Sequence, residues 1–486
     1  MTGGYGITGG SGPAEVRSET GTKVATAAGA VTANAAEPFP LELWSETVHS
    51  RRSIPDTLAT GGYAAGRPDP DPYDGPSAAL PGGRGLPLPP PPLQLGPLPP
   101  GPVGPAALAA LLHYSFGLLQ HDLTPGGWPL HRAVASARCL YPSELYLLPS
   151  RTGARQRPGQ VYRFDPLHHQ LLPLRPAVAG GDHQPDGPSG VLVITSRFAR
   201  TARLYGGYAP RLCAQEAGML LGAVQLTAAA LGLPVRAGLG RQTLLALCDG
   251  WVEAGAEHPM ACLKIGPHTA GPDAPAADAP GPDAPGAAQP ARQSWRPRDL
   301  AGALRARHSG AAIFDPDPRP APAELLDELV DALTDAPFPD FSCHLLVNRV
   351  AGMRPGHYLC TNGGLRLLRP GDPLPALERI GQTEGRVSMN FRACAFTAYL
   401  AVRREAAVAA YGADAFRRLH LAAGAAAHRI CVAAAAHRHS ARVHNGYDAA
   451  AAERSLGLTG SGQTVLFQIA VGAARPSAAF RLPVVF

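Results

Sequence analysis

The chain has 486 residues with 43 basic and 37 acidic side chains, a net charge of +6 spread too thinly to argue for a nucleic-acid partner. Its 56 glycines and 52 prolines exclude regular helix or strand over long stretches, while a 45% apolar content leaves enough for a sizeable core. The eight cysteines contain no CxxC pair, which excludes a zinc ribbon and points to scattered, reduced thiols rather than a disulfide framework.

Residues 1–40 are rich in Gly, Ala and Thr and are predicted to lack a packed core. They show no apolar h-region, so no signal peptide is expected and the protein is expected to be cytoplasmic. Gly4 to Gly9 fits GxGxxG, but no strand precedes it, so it does not read as a dinucleotide fingerprint. A short ordered element is expected near 38–56 inside an otherwise Pro/Gly-rich region, 1–105, whose segment 61–105 reads as a polyproline-like linker. An ordered block, 106–266, follows. The segment 267–297 is a second linker, rich in Pro, Ala and Asp, and 298–486 is a second ordered block.

Within the first block, Ala217 to Val235 is apolar and long enough to suggest a membrane span. Its Ala and Gly content, directly after Glu216, instead predicts a helix buried between two layers, with no membrane partner. In the second block, His437, His439 and His444 have no carboxylate or Cys at ligand spacing, so no metal is expected.

The two blocks share a register. An offset of 206 carries Tyr205-Gly206 onto Tyr411-Gly412, Gly218 onto Gly424, Gly240 onto Gly446 and Gly266 onto Gly472. The upstream strand-like segments PGQVYRFDP (158–166) and PGHYLCTN (355–362) need a gap of about nine residues. Each block reads as helices on a mostly antiparallel sheet with one long Ala-rich helix. The fold class expected is α+β, a tandem duplication packed helix against helix as a dimer within one chain.

The series HRAVASARCLYPSELYLL (131–148), VYRFDP, VLVIT, TARLYGGYAPRLCAQEAG (201–218) and AALGLPVRAGLG resembles the flavin-dependent nitroreductase superfamily. Within it the similarity is to the SagB-type azoline dehydrogenases of thiazole/oxazole-modified peptide biosynthesis. Arg132, Ser136, Leu140, Pro142, Glu144, Leu145 and Tyr146 match the family pattern R-x-x-P-S-A-G-A-L-x-P-x-E-L-Y. LRARHSG (304–310) resembles the R-R-S element that such proteins place on the flavin phosphate. The resemblance thus implies two nitroreductase-like, FMN-binding repeats.

It also implies a division of labour. The first block keeps the Ser loop and the second keeps the basic element, so one FMN per chain is expected between them. Arg132, Ser136, Ala137 and Arg138 would line it from one side. Arg305, Arg307 and Ser309, with Arg475 and Arg481, would supply donors for the phosphate from the other. The backbone at Asn445-Gly446 would approach the ring, where Gly permits close contact. Ser50-Arg51-Arg52-Ser53 is a rival phosphate element, and WSETVHS (44–50) loosely resembles an element upstream of the family's flavin domain.

Two departures stand out. Arg138 replaces the family's Gly, and the Lys of its K-Y-G motif is Leu204 in one block and Ala410 in the other. Tyr205, helped electrostatically by Arg203, is then the expected catalytic base. The function implied is FMN-dependent oxidation of thiazoline or oxazoline rings to azoles in a ribosomal precursor peptide. The partners implied are the modified peptide and cyclodehydratase components of a maturase complex; a homo-oligomer stays open. Two alternatives stand beside it: another flavin oxidoreductase of peptide tailoring, such as a dehydroamino-acid reductase, and a non-catalytic scaffold of that complex.

Overall fold

The computed structural model describes residues 44, 85–99, 101–123, 130–149, 160–174, 190–238, 240–252, 256–266, 295–310, 313–334, 341–361, 364–381, 389–475 and 481–484. Residues 1–40, the rival element 50–53 and most of the 267–297 linker lie outside them. Of the element expected near 38–56 only Trp44 is described, and its indole is buried against Phe416, His420 and the Arg404 guanidinium.

The first half runs β1 (Leu86–Pro87), α1 (Pro105–Phe116), β2 (Leu118–Asp122), β3 (Leu130–Arg132), β4 (Ser143–Pro149), β5 (Tyr162–Asp165), β6 (Gln170–Pro173) and β7 (Gly190–Ser196). It continues with α2 (Phe198–Tyr205), α3 (Ala209–Leu231), β8 (Val235–Gly238), α4 (Arg241–Cys248) and β9 (His258–Ile265). The second half runs α5 (Leu300–Ala306), α6 (Ala323–Thr334), β10 (Phe341–Val347), β11 (Gly356–Thr361), β12 (Gly364–Pro370), α7 (Leu374–Gly381) and β13 (Phe396–Arg403). Then come α8 (Arg404–Tyr411), α9 (Ala415–Ala436), β14 (His439–His444), α10 (Ala449–Leu456), β15 (Gln463–Ala473) and β16 (Arg481–Pro483).

The halves use one strand order. The first sheet is β1-β6-β5-β4-β7-β9-β8 and the second β12-β11-β10-β13-β15-β14, with every ladder antiparallel. Helix α2 and the 3-10 turn Gly206–Tyr208 recur 206 residues later as α8 and the turn Gly412–Asp414, and β7 and α3 begin 206 residues before β13 and α9. Gly206 and Gly412 both break the helix at positive φ, +51° and +56°, which explains the Tyr-Gly pairs seen in the sequence. The halves differ at one sheet edge: β1 covers β6, whereas β12 has no neighbour on its outer side among the described residues.

Helix α3 packs on the first sheet, α9 on the second, and the two helices on each other. Both are almost wholly buried, as the apolar run predicts. One helical stretch, 404–436, is apolar and long enough to cross a membrane, and it lies mostly buried inside the protein. The contact between α3 and α9 depends on glycine. A Cβ on Gly218 would stand 2.7 Å from the Leu421 Cα, and one on Gly424 would stand 2.9 Å from the Gly218 Cα and meet the Gln215 carbonyl. Under the offset of 206, Gly218 corresponds to Gly424 and Gln215 to Leu421, so the two close approaches are reciprocal.

Two segments tie the halves together. Strand β16, last in the chain, pairs with β2 of the first half to make a third sheet, β16-β2-β3. Residues 85–99, whose composition reads as a linker, lie against the body as a strap: Leu88 N–H donates to His169 O and Leu98 N–H to Leu231 O. The Pro92 and Leu93 carbonyls accept from the Tyr114 hydroxyl and the Arg305 guanidinium. A polyproline-like segment has no internal hydrogen bonds, so its free carbonyls suit it to this role.

Candidate functional site

The Ser loop joins β3 to β4. The Ser136 hydroxyl accepts from the Tyr141 N–H at 2.8 Å and donates to Glu216 on α3 at 2.5 Å. The Ser143 N–H points at the other carboxyl oxygen, 3.5 Å away. Three non-glycine residues here hold positive φ: Arg138 (51°), Cys139 (55°) and Tyr141 (46°). Each such residue costs roughly 1 kcal/mol or more, and strain of this kind gathers at functional loops. Arg138, at the position where the resembled family has Gly, thus adopts the left-handed region that Gly favours.

Burial pushes the Glu216 carboxyl up to about 7, against the opposing pull of the Ser136 hydrogen bond and the Arg132 charge. Burial likewise raises the Cys139 thiol to about 11, which keeps it a thiol rather than a nucleophile.

Arg132 follows from the first half. Its guanidinium lies 4.2 Å from the Phe116 ring and 4.5 Å from the Tyr141 ring, and the Arg132 backbone N–H donates to the Tyr141 hydroxyl. Arg307 comes from the second half, just past the end of α5, where Asp299 caps the helix start by accepting from the Gly302 N–H. Arg307 donates to the Arg132 carbonyl at 3.2 Å and faces the Ser309 hydroxyl at 3.5 Å, while the Ser309 carbonyl accepts from Arg442 at 3.0 Å. Both arginines are only 4% exposed, yet Nε and Nη1 of Arg132 and Nε of Arg307 have no partner among the described residues. Buried guanidinium groups are costly without an anion. His428 on α9 is fully buried with both ring nitrogens unpartnered; burial, with Arg307 and Arg429, lowers it to about 3.

Asn445 joins the cluster from β14's exit. Its side-chain amide donates to Gln215 Oε1 at 2.6 Å and accepts from Gln215 Nε2 at 3.3 Å, next to Glu216 on α3. Gly446 follows, with a space a Cβ would share with the His444 ring at 3.0 Å.

The structure therefore brings together Arg132, Ser136, Arg307 and Ser309 around Glu216, while Asn445 is tied to Gln215, the next residue on α3. Arg305 and Arg475 stand apart. Arg305 turns to the Tyr114 hydroxyl and the strap carbonyl of Leu93. Arg475 pairs with Asp315, at 3.0 Å and half exposed. Arg481, in β16, pairs its backbone with Asp122 of β2, and its side chain lies outside the described residues. Arg138 is exposed. Tyr205 and Arg203 end α2, half-buried and exposed respectively. Sequence patterns passed over Glu216, Gln215, His428 and Arg442; only Glu216 carried a signal, as the acid of the EAG segment. No group of three or more metal-ligating side chains is found among the described residues.

No protein-family model matches the chain, and no curated protein matches it. Among solved structures, a putative nitroreductase from Anabaena variabilis ATCC 29413 is similar at TM-score 0.65 and 19% identity, covering 89% of this chain and 99% of that one. The Escherichia coli microcin synthetase McbBCD complex with truncated pro-MccB17 aligns at TM-score 0.27 and 23% identity, over 33% of this chain and 62% of that one. A putative nitroreductase from Ralstonia eutropha JMP134 aligns at TM-score 0.29 and 21% identity, over 40% and 95%. The Anabaena likeness takes in both sheets, and on that ground the chain has a nitroreductase-like fold.

Proposed function

We propose that this chain is an FMN-dependent oxidoreductase, built as a tandem duplication whose halves pack as an intrachain pseudo-dimer around one FMN. The supporting observation is the buried pair Arg132 and Arg307, one from each half, with three guanidinium nitrogens unpartnered among the described residues. Such donors fit a phosphate dianion. Arg132, Arg307 and Ser309 would hold the phosphate, and Ser136, Glu216 and Asn445-Gly446 would border the ring. When bound, the flavin supplies two-electron chemistry, while the protein binds, orients and excludes water.

The substrate class rests on the sequence resemblance over 131–240. It is an azoline ring in a ribosomal precursor peptide, handed over by a cyclodehydratase complex. Oxidation to the azole would remove a hydride and a proton from the ring; the bound flavin would supply the two-electron acceptor, oxygen would be the terminal oxidant, and Tyr205, as its phenolate, would be the base. Tyr205 is held at the end of α2 by the Gly206 break. A second reading, another flavin oxidoreductase of peptide tailoring, is favoured by one observation. Leu204 is 6% exposed, so the position that carries Lys in the family's motif points into the core.

The test is purification of the full chain followed by flavin extraction and incubation with an azoline peptide in air. One FMN per chain and a peptide lighter by two hydrogens support the proposal. Colourless protein, or two flavins per chain, would overturn it; colour with an unchanged peptide leaves the second reading.

A further inference from the structure

A cavity of about 370 Å³ opens on the second half, on the β12 side of its sheet. Its floor is a cross-strand row of Leu346, His357 and Arg369, paired through the β10-β11 and β11-β12 ladders. Its rim is formed by Arg379, in the last turn of α7, and Arg454, in the last turn of α10. Three guanidiniums therefore converge against one carboxylate, Asp372, which is already engaged by the Leu374 N–H at 2.9 Å. Arg369 reaches the Ser455 carbonyl, while Arg379 and Arg454 have no partner among the described residues.

Cations at helix C-termini offset the helix dipole, which accounts for Arg379 and Arg454 singly. It does not account for the buried floor. His357 is 4% exposed, and its Nε2 lies 2.9 Å from Nδ1 of His344, which is backed in turn by Ser342 and Gln463. Ser342 gives its proton to Gln463, so His344 donates from Nε2, accepts at Nδ1 from His357 Nε2–H, and leaves His357 Nδ1 as an acceptor. The donor set of an oxyanion site is therefore the three guanidinium forks alone. The volume suits a small ligand rather than a chain.

We propose that this cavity binds a small organic dianion, a phosphate monoester or a dicarboxylate, gripped by Arg369, Arg379 and Arg454. The site is separate from the guanidinium pair at Arg132 and Arg307 and does not depend on the flavin reading. The α10 helix starts four residues after Asn445 and ends at the cavity rim.

Titration calorimetry on the full chain tests this, with inorganic phosphate and succinate as separate probes. Saturable one-to-one binding of either is expected, and the tighter probe identifies the anion class. R379Q/R454Q, which changes two exposed side chains, should weaken it about tenfold or more with circular dichroism unchanged. R307Q should leave it intact. Absence of saturable binding overturns the proposal, as does binding that R307Q abolishes and R379Q/R454Q preserves.

Discussion

Arg307 of the second half donates a hydrogen bond to the main-chain carbonyl of Arg132 in the first, 3.2 Å away, so two cationic side chains are held in one buried space. Like charges this close oppose folding unless an anion joins them. R307Q is expected to lose flavin binding by tenfold or more, read as bleaching of the purified protein, while its apo form melts no lower than the parent's. R305Q should keep its colour, because Arg305 holds the strap, and should cost about 1–2 kcal/mol of stability in a urea titration. Colour lost in R305Q and retained in R307Q would reverse this assignment.

Glu216 makes stability depend on pH. Its folded carboxyl sits at about 7, against 4.5 for the ordinary group, because burial disfavours the charge. The protonated form is therefore the one the fold prefers. The stability this gives is complete below pH 4.5 and is lost as pH rises through 7, to a total of about 3 kcal/mol. Urea midpoints at pH 5 and pH 8 should differ accordingly, and E216Q should flatten the difference. Parallel profiles for the parent and E216Q would count against it.

The reciprocal glycines are open to a stability test. G218A or G424A forces a methyl group against the facing helix backbone, and each should cost about 1–3 kcal/mol, visible as a lower melting temperature. G207A, at an exposed position where a Cβ meets nothing, is the control.

Tyr205 bears on catalysis rather than on cofactor content. Y205F should lower turnover of an azoline peptide about a hundredfold and leave the bound flavin unchanged. An unaltered rate would mean that another group takes the proton.

How far these features could be read from the residues depends on whether their cause is local. The offset of 206 is legible because the Gly206 and Gly412 breaks, and the small residues where α3 meets α9, are needed at fixed places in each half. The buried helix is legible from its uninterrupted apolar run. The difference between Arg305 and Arg307 is not: one closes α5 and the next but one lies past it in extended backbone, and only tertiary packing decides which enters the interior. The same holds for Glu216, whose partner Ser136 lies 80 residues away. The strap at 85–99 escaped because proline-rich chain carries no periodicity, and its anchors are carbonyls that every sequence possesses.

The pairing of β16 with β2 has a further consequence. Strand pairing joins 481–483 of the second half to 120–122 of the first, so covalent continuity through 267–294 is not the sole tie between the two halves. A protease cut in that stretch should yield fragments that co-elute under native conditions and part only in denaturant, and two separately expressed pieces divided there should complement one another.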